Sequence, residues 1–300
     1  MGSNVQIKAI FLCLPFAFAH PAAAQLKAVD GLAALDAGDA ATARAIWTPL
    51  AQRGDVLAQY NLAVLKLTGQ GGAENTDAAN SLLEAAAQQG YLPAQRMLAG
   101  LASERRDWRS ARQWYLTLAK AGEASAQAVL ASLLERGLGG AADHEGAVSW
   151  YRKAAAQEHL HAQFSLAVIL AERGDISEAA DWFEAAAAQG DALAMHNLAG
   201  LLAQGSGRAQ DEAAARGWYL RAAQSGYAPA MRNLALMQAR GRGGAQSFRF
   251  ALAWALNAYA LDGSGTADLV EALREVMSDA AIAEAEALVA DCLHGSVDCG

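Results

Sequence analysis

The sequence predicts an all-α protein built from repeated antiparallel helix pairs. Three observations lead to this prediction: the composition, a phrase that recurs along the chain, and columns of alanine and leucine with helical spacing. The 300-residue chain is 54% hydrophobic but only 7% aromatic, and it contains five prolines. Because alanine is the best helix former and alternating β-branched runs are missing, the composition favours closely packed helices over strands.

The recurring phrase indicates a structural unit. It reads WYRKAAAQEHLHAQ from Trp150, WFEAAAAQGDALAM from Trp182 and WYLRAAQSGYAPAM from Trp218. An active site is normally written once, whereas a phrase that returns at fixed spacing is typical of a repeat architecture. We interpret the phrase as the second helix of a hairpin, its stop, and the start of the next hairpin.

The first helix of each repeat, helix A, is defined by an alanine anchor. Leucine and alanine follow the anchor by four and five residues, and a large aliphatic residue or methionine follows by seven. The residues at four and seven share one helix face with the anchor. The spacing therefore predicts a buried stripe on each helix A. The anchors, alternately 36 and 32 residues apart, are Ala58, Ala94, Ala126, Ala162, Ala194 and Ala230.

The second helix, helix B, precedes the next anchor. Alanines stand fifteen and seven residues before each anchor, and a bulky residue stands twelve before it. We predict that this bulky residue and its aromatic neighbour fill the core, while the alanines let the helices approach closely. The bulky column is Ile46, Leu82, Trp114, Trp150, Trp182 and Trp218.

Each helix B is predicted to stop at a glycine four residues before the anchor. Glycine takes the left-handed conformation of a helix C-terminus without steric penalty. Glu158 occupies this place once, and there we expect a strained or differently built cap. The stop glycines are Gly54, Gly90, Gly122, Gly190 and Gly226.

Long repeats carry a Gly-x-Gly turn between helices A and B, whereas short ones have tight turns such as ERGD at 172–175. A phosphate-binding loop is the alternative for Gly-x-Gly, but no Gly-Lys follows and no strand precedes. We therefore predict ordinary turns. Long and short repeats alternate with a period of 68 residues, which indicates an ancestral duplication of two repeats. The turns are at 69–71, 137–139, 205–207 and 241–243.

At these residues the sequence resembles the Sel1-like repeat family, a relative of the tetratricopeptide repeats. The matching stretches are AQYNLAVLKLTGQGG from Ala58, ASLLERGLGGAADHEGAVSWYRKAAAQ from Ala131 and GWYLRAAQSGYAPAMRNLALMQARGRGG from Gly217. The resemblance covers about Leu26 to Gly263. It implies a right-handed superhelical solenoid of about six to seven helix pairs over residues 25–263. It also implies an adaptor or regulator in an exported or signalling complex, without a cofactor.

Residues 1–24 are predicted to be a signal peptide. Lys8 precedes an apolar run from Ala9 to Ala19, and small residues end at Ala24, the expected cleavage site. A membrane-spanning helix is the alternative, but this run is too short to cross a bilayer. We therefore expect an exported, periplasmic protein without stable membrane insertion after cleavage, and a secreted protein is the alternative.

Residues 264–300 leave the repeat pattern and are predicted to form a helical cap. Ser278 is a suitable N-cap for a final helix, and solenoids need a terminal unit with a polar outer face. Cys292 and Cys299 form an even pair in an oxidising compartment, which favours a disulfide. So short a loop contributes about 2–3 kcal/mol by the chain-entropy model.

The sequence contains no convincing catalytic or metal-binding constellation. His159 and His161 are two residues apart and would point away from each other on a helix, whereas helical metal pairs prefer a spacing of four. His196 stands alone, and no G-x-S-x-G, S-x-x-K or H-E-x-x-H motif is present. We therefore predict no enzyme activity, no cofactor and no metal.

A binding surface is predicted on the concave side, which helices A line in tetratricopeptide-like superhelices. The side chains two and three residues after the anchors vary from repeat to repeat, unlike the core columns. Arginine and aromatic residues are frequent interface anchors, although a solvated face without a ligand is the alternative. The groove candidates are Tyr60, Asn61, Arg96, Phe164, His196, Asn197, Arg232 and Asn233.

Three functions remain open from the sequence. The preferred one is a non-catalytic exported scaffold that binds a protein or peptide in its groove and regulates an envelope signalling or secretion complex. The second is a cell-wall or polysaccharide-binding protein, in which groove aromatics stack on sugars. The third is a wall-directed hydrolase. The net charge of −8 argues against a nucleic-acid partner.

Overall fold

The computed structural model describes the backbone of residues 21–300 and the side chains of residues 28–300 apart from Ser264. All regular structure in this part of the chain is helical, which confirms the predicted all-α fold. The predicted signal peptide lies outside the described residues except for its last four, which form the first turn of α1.

Short turns connect the helices throughout the described chain. None of the described helices combines the length and apolar character that crossing a bilayer requires. The helices are α1 (Pro21–Asp36), α2 (Ala40–Gln52), α3 (Val56–Thr68), α4 (Thr76–Gln88), α5 (Leu92–Glu104), α6 (Trp108–Lys120), α7 (Ala124–Glu135), α8 (His144–Ala155), α9 (Leu160–Arg173), α10 (Ile176–Ala188), α11 (Ala192–Gln204), α12 (Glu212–Gln224), α13 (Ala228–Arg240), α14 (Phe248–Asp262), α15 (Ala267–Glu275), α16 (Asp279–Ala287) and α17 (Val289–His294), with a 3-10 turn at Gly263–Gly265.

The chain divides into two compact units, one ending at Trp114 and the other beginning at Tyr115. In the first unit each helix from α1 to α5 packs against the next along the chain, and in the second the same holds from α7 to α14. Because the connecting turns are short, consecutive packed helices run antiparallel. Helices A are α3, α5, α7, α9, α11 and α13, and helices B are α2, α4, α6, α8, α10, α12 and α14.

The alanine and leucine columns form the core. All six anchors are buried, as are the leucines four and the alanines five residues after them, with at most 7% exposure. The alanine columns of helices B are buried as well. Each fully buried leucine stabilises the fold by about 1.5–3 kcal/mol relative to an exposed one.

The tryptophan column is less buried than predicted. Trp150 and Trp218 are half-buried, whereas the aromatic residues directly after them, Tyr151 and Tyr219, are 2% and 6% exposed. The ammonium group of Lys153 lies 3.9 Å from the centre of the Trp150 ring. The tyrosine or phenylalanine therefore fills the core, and the tryptophan lies at its edge.

Helices B end as predicted, and Glu158 shows which of its two expected outcomes holds. The five stop glycines have φ between 82° and 99°, and Glu158 itself adopts φ 60°. The Glu158 N–H donates to the Ala155 carbonyl at 3.0 Å and the His159 N–H to the Ala154 carbonyl at 3.2 Å, as at the glycine stops. The cap is therefore built in the same way but strained, because a side chain disfavours this conformation.

The Gly-x-Gly turns serve packing. Both glycines of each turn have φ between 63° and 78°. A Cβ atom on Gly207 would lie 2.7 Å from the backbone of Ile176, at the start of helix B in the preceding repeat. The second glycine is thus required both by its conformation and by this close approach.

The C-terminal segment folds back onto α13 and α14. The Ser278 hydroxyl accepts from the Ala281 N–H at 3.3 Å and caps α16 as predicted, but α17 follows, so α16 is not the final helix. Cys292 and Cys299 are joined by a disulfide. The Cys299 carbonyl accepts from the side chains of Gln238 at 2.6 Å and Trp254 at 3.1 Å.

Candidate functional site: the A-helix face

The groove candidates lie on the surface of helices A that carries the residues two and three positions after each anchor, which we name the A-helix face. In the first unit Tyr60 and Asn61 are half-buried and Arg96 is exposed. In the second unit Arg232 is exposed, and the remaining candidates, Phe164, His196, Asn197 and Asn233, are half-buried.

The aromatic residues of this face also hold neighbouring helices together. Tyr60 meets Tyr91 edge-on with ring centres 5.3 Å apart, and Phe164 meets Phe183 in the same way at 5.9 Å. Such pairs contribute about 0.5–1.5 kcal/mol beyond their burial. These side chains are therefore fixed in position before any partner binds.

His196 lies between two tyrosines. Its ring is 5.4 Å from that of Tyr219 and 5.3 Å from that of Tyr227, both edge-on. Its Nδ1 is buried and has no hydrogen-bond partner among the described residues. Burial lowers the pKa of His196, because the charged imidazolium is poorly solvated there. His196 is consequently neutral at pH 7 and acts as a packing residue.

Asn233 positions the hydroxyl of a buried tyrosine. Its Nδ2 donates to Tyr219 Oη at 3.2 Å. Burial raises the pKa of Tyr219, so the phenol keeps its proton at neutral pH. Because the oxygen accepts from Asn233, the phenolic proton remains to be donated, and no acceptor for it is seen in the described part of the chain.

A pocket of about 230 Å³ opens beside this hydroxyl, between α11, α12 and α13. Its lining includes Gly200, Gln204 and Arg240 in addition to Tyr219 and Asn233. A Cβ atom on Gly200 would lie 3.5 Å from Tyr219 Oη, so the glycine leaves room next to the hydroxyl. The sequence analysis selected Asn233 but missed the other lining residues, which a comparison of repeats 68 residues apart could have found.

Arg242 borders the same pocket but is held by the protein. It donates to Glu212 Oε1 at 2.8 Å and to the Ala203 carbonyl at 3.3 Å. The charge of Arg242 is therefore balanced by Glu212, whereas Arg240 forms no ion pair in the described structure.

The remaining histidines have structural positions. His159 caps α9, where its Nδ1 accepts from the Ala162 N–H at 3.3 Å, and burial lowers its pKa. His161 is exposed on the same helix. Within residues 28–300, no group of three or more His, Cys, Asp or Glu side chains is arranged to hold a metal ion.

The fold defines a repeat protein of the helix-pair solenoid class. The Sel1 repeat model matches more than half of the chain, and the chain belongs to the Sel1 repeat family, which confirms the resemblance. Repeats of this family generally mediate protein–protein interaction and are typically non-catalytic. The matched segments are 56–91, 124–159, 160–191, 192–227 and 228–263.

Solved structures show the same fold. A protective antigen present in uropathogenic Escherichia coli strains, which displays an SLR fold, is 27% identical with a TM-score of 0.65 over 92% of this chain. The alignment covers 62% of that antigen, so this chain spans less than two thirds of its length. A Sel1 repeat protein from Oxalobacter formigenes is 25% identical with a TM-score of 0.60 over 83% of this chain and 76% of its own. A search of curated proteins found no significant match.

Proposed function

We propose that this protein is an exported, periplasmic scaffold that binds a protein or peptide partner along the A-helix face and regulates an envelope signalling or secretion complex. Membership of a family of interaction repeats supports the scaffold role. The apolar run that follows Lys8 supports export.

The observation that carries the proposal is the contrast between the core and the A-helix face. The core columns repeat the same residue types, whereas the A-helix face of the second unit presents Phe164, His196 and Arg232 at equivalent positions. Phe164 and His196 are already packed edge-on against neighbouring rings. A partner would thus lose little side-chain entropy in ordering them, and the exposed Arg232 adds a specific charge.

The aromatic contacts favour a peptide over a glycan. A sugar ring stacks on a free aromatic face, but Tyr60 and Phe164 are both half-buried against other rings. Less aromatic surface is therefore available for stacking than the glycan alternative requires.

A charge-reversal capture experiment tests the proposal. Residues 25–300 are immobilised and exposed to Gram-negative periplasmic extract and, separately, to purified cell-wall sacculi. An Arg232→Glu, Arg240→Glu double variant alters the A-helix face. A Lys153→Glu, Arg221→Glu variant makes the same charge change on exposed sites of helices B and is the matched control. Circular dichroism melts confirm that both variants fold.

The proposal expects a protein that is retained by the wild type and the control but lost by the A-helix variant. Retention of sacculi alone would replace the adaptor with the glycan-binding function. Equal retention of the same protein by all three would place binding on another surface.

A further inference from the structure

We propose that the pocket beside Tyr219 binds a carboxylate group, supplied by a peptide C-terminus or by an aspartate or glutamate side chain of the partner. This inference rests on the proposed function, since it names the chemistry that a peptide partner would bring to the A-helix face. It can be tested without the partner, because a small carboxylate is a sufficient probe.

The chain itself shows a carboxylate at the equivalent place one period earlier. Tyr151 lies 68 residues before Tyr219 and occupies the same position in its repeat. Its hydroxyl donates to Glu135 Oε2 at 3.1 Å. Burial, together with the charge of Glu135, raises the pKa of Tyr151 to about 12. In that repeat the tyrosine proton is satisfied by an internal carboxylate.

In the later repeat this carboxylate is missing while the tyrosine remains. The residue 68 positions after Glu135 is Ala203, which lines the pocket. The residue 68 positions after Ser132 is Gly200, which widens the same space. The Tyr219 hydroxyl, already accepting from Asn233, is left with a proton to donate into a cavity from which an acceptor has been removed.

The charge at the rim has also been reversed. Glu172 stands 68 residues before Arg240, and both border the corresponding pockets of their repeats. Arg240 forms no ion pair among the described residues, and Gln204 adds a neutral donor beside it. An arginine and a tyrosine hydroxyl converging on one space suit a carboxylate, since charge-assisted hydrogen bonds are the strong ones.

The size of the cavity fits this group. Pockets for drug-sized ligands measure about 300–1,000 Å³. The pocket beside Tyr219 has about 230 Å³, enough for one carboxylate-bearing residue.

Four small probes test the inference by NMR on the isotope-labelled mature protein. N-acetylglycine and N-acetylaspartate amide carry a terminal and a side-chain carboxylate. N-acetylglycine amide and N-acetylasparagine amide are their neutral counterparts. We expect saturable shifts of the Gly200 backbone amide and the Asn233 side-chain amide with the carboxylates, at dissociation constants of about a millimolar to tens of millimolar. The carboxylate that binds more tightly identifies the source.

Variants assign the effect to the pocket. Arg240→Gln and Tyr219→Phe should each weaken carboxylate binding about tenfold, whereas Arg232→Gln, on the same helix but outside the pocket lining, should leave it unchanged. Ala203→Glu supplies an internal carboxylate as Glu135 does, and it should abolish binding.

Equal shifts with acids and amides, no saturable shift up to about 50 mM, or full binding in Arg240→Gln and Ala203→Glu would overturn the inference. The two proposals fail separately. If the probes bind but partner capture is unaffected by Arg240→Gln, the carboxylate site stands and its role in partner binding falls. If the probes do not bind but capture depends on Arg232, the proposed function stands without this site.

Discussion

The side-chain amide of Gln189 donates to Oε1 of Gln163 at 2.7 Å, and Gln163 donates to the Ala155 carbonyl at 3.2 Å. Gln163 directly follows an anchor and is 4% exposed. The same link joins Gln89 to Gln59 in the first unit, at 2.8 Å. Buried glutamines therefore tie helix B of one repeat to that of the next, in addition to the apolar core.

Replacing Gln163 should reveal this coupling. Methionine occupies the position in the following repeat as Met195, so Gln163→Met preserves the shape. We expect a loss of about 1 kcal/mol in the free energy of unfolding. A double-mutant cycle with Gln189→Ala, followed by urea denaturation, should give a coupling energy of about 0.5–1.5 kcal/mol. Strict additivity of the two changes would contradict the link.

Relieving the strained cap should stabilise the protein. Glu158 adopts φ 60°, where a side chain costs about 1–2 kcal/mol. Part of the gain in Glu158→Gly is offset by the greater freedom of the unfolded chain, which leaves about 0.5–1 kcal/mol. The converse change at the matching stop, Gly190→Ala, should destabilise by about 1 kcal/mol although its Cβ atom meets nothing within 4 Å. Thermal unfolding of both variants checks the pair, and equal melting temperatures would refute the strain.

His196 should make stability depend on pH below its ordinary pKa of about 6.5. Burial lowers its pKa in the folded protein, so the unfolded chain binds a proton in this range while the folded one stays neutral. Stability should therefore decrease as the pH falls from about 6.5 to the lowered folded value. Urea melts from pH 7 to 5 should show a shallower decrease for His196→Gln. The exposed His161→Gln is the control and should follow the wild type.

The disulfide should hold the C-terminal carbonyl that two side chains use. Without it, the Cys299 carbonyl is free to leave Gln238 and Trp254. The double change Cys292→Ala, Cys299→Ala should lower the free energy of unfolding by about 2–3 kcal/mol. A reducing agent should lower the melting temperature of the wild type towards that of the variant and leave the variant unchanged. An equal effect of the reductant on both would point to another cause.

The sequence was sufficient for the fold because the repeat makes each column visible several times. Anchors such as Ala162 and stops such as Gly190 recur at fixed spacing, and steric requirements leave little choice at those positions. The order of burial between Trp150 and Tyr151 could not be decided in this way, because neighbouring aromatic residues differ only by a rotation of about 100° around the helix.

The pocket depends on side chains from three helices and was not predictable from any single column. Tyr219, Gly200 and Arg240 belong to different positions of the repeat. Only the comparison with Tyr151 and its partner Glu135 shows that an acceptor has been removed, and this requires the geometry of the hydrogen bond.

Site-specific photocrosslinking in the periplasm tests the central claim, partner binding on the A-helix face, most directly. A photoreactive phenylalanine analogue replaces Arg232 on this face or Arg221 on helix B, both exposed in the second unit. The account predicts a discrete crosslinked partner from position 232 and none from 221. Adducts from position 221 alone would contradict it and assign partner binding to helices B.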